Sequence, residues 1–257
     1  MLNRRTLLAG VAALSVLAVV GTPFAQETAP MATDTLATTA GDLVINPVNH
    51  SSMVLTLGDK TWYVDPVGGA ELYADYAAPT AILITHEHGD HFDVPTLEAI
   101  AGDTAPLLVS QAVYDGLPAT LQARASVIGN GEATEVDGVA IDSVAAYNTT
   151  PDRSQFHPQG RGNGYILNIG DSRVYIAGDT EGTPEMLALT DIDAAFLPMN
   201  LPYTMTGAEA AEAVKAFRPA IVYPYHYGEG EEHLAFAEAV AGEEGIEVRQ
   251  LAWYGTR

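Results

Sequence analysis

The sequence predicts an α/β fold, in which two packed mixed β-sheets carry helices on their outer faces. Three observations predict it. Hairpin-like runs of strand fill the middle of the chain, and strand–helix units stand at both ends. The 24 glycines and 15 prolines are spread along 257 residues, which suits short strands and turns better than a helical bundle. A hydrophobic fraction of 47% is enough for one large domain with its own core.

From Asp42 to Val64 the chain reads as hairpins. Leu43–Ile45, Met53–Leu57 and Thr61–Val64 are strand-like, and Gly58-Asp59 turns between the last two. Ala81–Ile84 is a short apolar run of the buried-strand type. Asp93 and Pro95 open a helix to Ala101; a strand at Leu107–Val109 and a helix near Gln111–Gly116 follow. Strands are expected at Val127-Ile128, Thr134–Val136, Val139–Val144, Tyr165–Ile169 and Arg173–Ile176, with Gly170-Asp171 as a tight turn. Then come a strand at Ala194–Leu197, a capping box at Thr206–Glu209 and a helix to about Phe217 that Pro219 stops. A strand at Ile221–Tyr223, a helix from Glu231 to Ala241 and a strand at Glu247–Leu251 complete the pattern. No sequence repeat is evident, although both halves end in strand–helix units.

Residues 1–25 read as an export signal and not as part of the fold. Arg4-Arg5 precedes a short apolar run from Leu7 to Val20, and small residues follow up to Ala25. The run is short for a membrane span, and the paired arginines fit a twin-arginine signal. Residues 26–41 are small and polar without periodicity and read as a flexible linker, so the folded domain is expected over 42–257. The mature protein is then expected in the periplasm, or otherwise outside the cytoplasm, with no stable membrane association. Replacing both arginines with lysine should trap a longer precursor inside the cell; unchanged export, followed by fractionation, would rule the signal out.

The formal net charge is −22, from 33 acidic and 11 basic residues. Such a surface repels phosphate backbones and anionic lipid, which argues against nucleic acid and membrane surfaces as partners; the partner expected from the chemistry below is a small-molecule substrate. Cysteine is absent, so disulfides, thiolate metal ligands and thiol nucleophiles are excluded. No Gly-x-Ser-x-Gly elbow occurs to support a serine hydrolase.

The chemistry concentrates in Thr85-His86-Glu87-His88-Gly89-Asp90-His91, directly after the apolar Ala81–Ile84 run. In an extended loop, residues two apart point to one side, so His86 and His88 can grip one ion together. Asp90 and His91 lie beyond Gly89, where the chain can turn toward a second ion. Imidazole and carboxylate suit zinc first, with manganese and iron as alternatives.

His86-x-His88-x-Asp90-His91 resembles the HxHxDH signature of the metallo-β-lactamase superfamily. Asn49-His50-Ser51-Ser52, Val64-Asp65-Pro66, Ala177-Gly178-Asp179-Thr180 and Tyr223-Pro224-Tyr225-His226-Tyr227-Gly228 are similar to further segments, in order, of the branch containing ascorbate-6-phosphate lactonase. The resemblance implies the αββα fold of that superfamily and two divalent ions. It places His86 and His88 on the first ion, Asp90, His91 and His226 on the second, and Asp179 between them. It also implies that Asp65 orients a ligand imidazole, and puts His50 at the pocket rim. One position departs from the pattern: Asn148 stands where a third histidine is expected for the first ion. His157, further along the same loop, either supplies that ligand or binds substrate, and the first site is expected to be the weaker. His233 reads as a surface residue of the last helix; Arg161 and Tyr203 are loop residues beside site segments.

The expected function is hydrolysis of an ester, lactone, phosphodiester or amide bond by a metal-bound hydroxide, with Asp90 and Asp179 catalytic. The alternatives are iron-dependent oxidoreductase chemistry on the same scaffold and a non-catalytic metal-binding protein.

Overall fold

The computed structural model describes residues 32–254. The expected signal and the first part of the expected linker lie outside them. The first sheet runs β1 (Asp34–Thr38), β2 (Gly41–Asn49), β3 (Ser52–Leu57), β4 (Lys60–Val64), β5 (Ala81–Ile84), β6 (Leu107–Val109) and β7 (Ala125–Val127) in spatial and chain order alike. The second runs β8 (Ala133–Val136), β9 (Val139–Ala146), β10 (Gly162–Ile169), β11 (Ser172–Ile176), β12 (Ala194–Pro198), β13 (Ile221–Tyr225) and β14 (Glu247–Val248) in the same way. The expected α/β sandwich of two mixed sheets is therefore the observed one.

In each sheet the first four strands pair antiparallel and the last three join them in parallel. The two halves thus share one topology without a legible sequence repeat. Parallel pairs need crossovers, and these carry the helices. They are α1 (Val94–Ile100), α2 (Gln111–Gly116) and α3 (Ala119–Gln122) in the first half, and α4 (Pro184–Leu187), α5 (Gly207–Phe217) and α6 (Glu232–Val240) in the second. A short 3-10 turn, Ala70–Tyr73, sits between β4 and β5.

β5 is buried on both faces, which is why it reads as an unbroken apolar run. Leu83 points into the core between the sheets, while Ile82 and Ile84 face outward against Leu97, Val113 and Leu121 of the first helices. The capping box forms as expected, with Thr206 and Glu209 each bonding the other's backbone. Arg218, in the left-handed conformation, ends α5 just before Pro219. Gly207 lies so close to α6 that a Cβ there would stand 2.2 Å from the Glu232 carbonyl oxygen. Gly207→Ala should cost about 3 kcal/mol, as overpacking does, read as a lower midpoint in denaturant unfolding.

Two expectations need correction. The linker was expected to reach residue 41, but Asp34–Thr38 is β1, paired along its whole length with β2. Leu36 is buried in the core, and the Asp34 carboxylate accepts from Tyr223 Oη at 2.6 Å and from Arg249 at 2.9 Å. These partners lie about 190 residues and more away in sequence, and the strand has one large apolar residue, so no local periodicity announces it. The last strand was expected to reach Leu251 but stops at Val248. Arg249 N–H still donates to Val222 O, but Pro224 has no N–H to extend the ladder.

Candidate metal centre

The candidate residues lie on loops at one edge of the sandwich, where parallel strands end. His86, His88, Asp90 and His91 follow β5; Asp65 follows β4, Asp179 follows β11 and His226 follows β13. Asp65 and Asp179 thus follow corresponding strands of the two halves. His50 sits in the β2–β3 turn, and His157 in the loop between β9 and β10. Non-glycine residues rarely adopt positive φ, yet His50 (53°), Asp65 (45°) and His226 (49°) all do so here. Gly178, at φ 66°, turns the chain into Asp179, and a Cβ there would meet the Asn163 carbonyl at 2.9 Å.

The donor atoms fall into two clusters joined by one carboxylate. In the first, His86 Nε2 is 3.2 Å from His88 Nδ1 and 3.9 Å from Asp179 Oδ2, and His157 Nε2 is 3.2 Å from Asp179 Oδ2. In the second, His91 Nε2 and His226 Nε2 lie 3.2 and 3.4 Å from Asp179 Oδ1, and His226 Nε2 lies 3.3 Å from Asp90 Oδ2. Asp179 divides its two oxygens between the clusters.

The nitrogens are prepared for this from behind. Asp65 is fully buried; its Oδ1 accepts the Thr85 N–H and its Oδ2 the Thr85 hydroxyl, each at 2.7 Å. Asp65 Oδ2 is also 2.8 Å from His91 Nδ1, so a neutral His91 ring carries its proton there and leaves Nε2 for a cation. His86 Nδ1 faces the Thr85 hydroxyl at 3.1 Å, and His157 Nδ1 donates to the Tyr203 carbonyl at 3.0 Å. Buried His91 Nε2, His157 Nε2, His226 Nε2 and Asp179 Oδ1 make no hydrogen bond although they converge. Buried polar atoms are rarely left so. Donors on a tetrahedral ion with arms of about 2.1 Å lie roughly 3.4 Å apart, the spacing found here. The residues present fit two divalent cations.

Charge follows the same arrangement. Burial holds the His86 imidazole well below its ordinary pKa. Burial opposes charge on His91 too, but Asp179 and Asp65 on either side outweigh it and raise its pKa. For Asp179, burial is outweighed by the neighbouring His226 and His91, which hold the carboxyl well below its usual range. Burial would likewise raise Asp90, but the His226 and His50 imidazoles beside it hold its carboxyl well below the usual range.

At the odd position the structure brings His157 into one group with His86 and His88. Asn148 is buried; its amide donates to Arg153 O at 3.0 Å and to Tyr203 O at 2.6 Å, and its N–H to His157 O at 2.9 Å. It ties down the loop that delivers His157. The first cluster thus contains three imidazoles, His86, His88 and His157. Arg161 pairs with Glu87 at the rim, and half-buried His233 stacks on Tyr227 at 4.0 Å. Sequence reasoning missed Thr85 and the carbonyl of Tyr203, the latter because a backbone acceptor leaves no residue-type signal. It also missed Tyr254, whose hydroxyl is 2.6 Å from His50 Nδ1.

Asp65→Asn places an amide N–H against the donors of Thr85 and His91. It should weaken metal binding about 10- to 100-fold in chelator competition while the chain stays folded; unchanged affinity would show that Asp65 only caps its strand.

Comparison with known proteins agrees with this geometry. Residues 45–226 match the model of the β-lactamase superfamily domain. A UPF0173 metal-dependent hydrolase from Pyrococcus abyssi is 32% identical over 180 residues, 66% of this chain and 78% of that protein. The crystal structure of a protein described as a metal-dependent hydrolase from Parabacteroides distasonis is 41% identical, with a TM-score of 0.77 over 84% of this chain and 96% of the other. CmlA, a diiron β-hydroxylase from Streptomyces venezuelae, shares the fold at 18% identity and a TM-score of 0.65, over 88% of this chain and 54% of its own. With the family model spanning most of the chain and the histidine–carboxylate clusters in its mouth, this protein belongs to the β-lactamase superfamily and to its metal-dependent hydrolases.

Proposed function

We propose that the protein hydrolyses an ester, lactone, phosphodiester or amide bond of a small molecule at a two-metal centre, with zinc as the first candidate. The observation that carries this reading is the Asp179 carboxylate, whose two oxygens each face a separate histidine cluster. His86, His88 and His157 would hold one ion and Asp90, His91 and His226 the other, with Asp179 shared. When bound, such a pair lowers the pKa of water and polarises the oxygen of the bond under attack.

The chain's own groups do the rest. Asp65, Thr85 and the Tyr203 carbonyl hold the far sides of His91, His86 and His157, so that each neutral ring would present its Nε2 lone pair to a cation. Asp90 is the half-exposed carboxylate of the set and opens on the cleft lined by His50, Gly228 and Glu229. Its carboxylate would accept a hydrogen bond from a water on the cleft side and so orient it. The test is metal analysis of the purified protein, then an activity screen of the metal-loaded chain against lactones, phosphodiesters and amides. Turnover that a chelator removes and zinc restores supports the reading. Protein that carries iron, consumes oxygen and cleaves none of these bonds would replace it with oxidative chemistry. We also propose export through Arg4-Arg5, on the sequence pattern alone.

A further inference from the structure

The cleft beside the second cluster has a volume of about 580 Å³, and His50 and Tyr254 form part of its wall. His50 lies as close to the donor atoms as a ligand would. Its ring centroid is 3.8 Å from that of His226, its Nε2 is 3.5 Å from Asp90 Oδ2, and His50, Asp90 and His226 together form a group able to hold an ion. Distance alone does not say whether His50 binds metal.

The other ring nitrogen decides. His50 Nδ1 is 2.6 Å from the Tyr254 hydroxyl, and that oxygen already accepts the Gly228 N–H at 2.7 Å. Gly228 donates to one lone pair of that oxygen, which leaves the phenolic hydrogen free to be given to His50 Nδ1. Burial, the main influence on Tyr254, favours its neutral, protonated form. Nδ1 is then an acceptor, and the neutral imidazole carries its hydrogen on Nε2. A nitrogen bearing a proton has no lone pair for a cation, but it can donate to Asp90 Oδ2. Asp90 has use for such a donor: its side chain is 49% exposed, and His226 Nε2, 3.3 Å away, makes no hydrogen bond to it and would turn its lone pair to a metal.

We propose that Gly228 N–H, Tyr254 and His50 form a hydrogen-bond relay that keeps His50 off the metal and fixes Asp90 in the second site. The relay's role at the metal rests on the two-metal reading above. Tyr254 and His50 are positioning residues, acting through Asp90.

The experiment compares the full-length wild type with Tyr254→Phe, His50→Ala and His50→Gln. The ring ¹⁵N shifts of His50, from two-bond ¹H–¹⁵N spectra of the metal-free and zinc-loaded protein, report its tautomer. Zinc stoichiometry and chelator competition report the site. The proton is expected on Nε2 in both wild-type forms, with the fixed tautomer lost in Tyr254→Phe. Tyr254→Phe and His50→Ala should keep two ions and bind the second about 10- to 100-fold more weakly. His50→Gln, which retains a side-chain N–H donor, should recover part of that loss. A proton on Nδ1, a fall to one ion in His50→Ala, or wild-type affinity in both Tyr254→Phe and His50→Ala would overturn the relay. A wild type that binds fewer than two ions would instead sink the two-metal reading, and the tautomer in the metal-free chain would still decide the relay.

Discussion

Asp179→Ala is expected to abolish turnover and weaken both metal sites at once. The carboxylate reaches His157 through Oδ2 and His91 and His226 through Oδ1, so its loss removes a donor from each cluster. Removing metal-dependent stabilisation of several kcal/mol lowers the rate on the order of 10³-fold or more. The fold should survive, because Asp179 sits on a loop and contributes no apolar packing. Elemental analysis and circular dichroism of the variant check both parts. Loss of one ion with the other held at wild-type affinity would show that Asp179 serves a single site.

His157→Ala is expected to reduce metal content from two ions toward one and to take most activity with it. The first cluster would keep only His86, His88 and one oxygen of Asp179. In its place Asn148 offers only an amide oxygen, a poorer donor to zinc than imidazole, on an amide that the carbonyls of Tyr203 and Arg153 hold. With that side chain engaged by the two carbonyls, Asn148→His should not tighten the first site. It should loosen the loop that carries His157, lowering both metal affinity and thermal stability. Metal titration of the three proteins separates these outcomes. If His157→Ala keeps both ions at full affinity and loses only substrate binding, His157 belongs to the substrate and not to the metal.

Much of this molecule was legible along the chain because its signals are short-range. The run from Thr85 to His91 places four metal-type side chains within one loop, and a loop after a buried strand presents them together whatever else folds around it. The capping box at Thr206 and Glu209 works within one helical turn, so its helix appears with the expected ends. β5 reads as a buried strand because both of its faces meet apolar neighbours.

The elements that were not legible depend on partners distant in sequence. β1 exists because Leu36 enters the core and Asp34 meets Tyr223 and Arg249. That the halves share one topology emerges only from strand pairing, since hydrogen bonds between backbones place no demand on residue identity. The family pattern put the expected third histidine at Asn148, and only the docked loop shows His157 reaching the cluster while Asn148 ties that loop to Tyr203.

By itself, the sequence determined the metal-binding motif, the sheet-and-helix order and the acidic surface, because residue type and local spacing are enough for each. The resemblance anticipated Asp179 between two clusters and Asp65 behind an imidazole; tertiary structure alone decided that this imidazole is His91, that His157 reaches Asp179 and that Tyr254 reaches His50. These are matters of ångströms between side chains on separate strands and loops, and such distances exist only once the two sheets have packed.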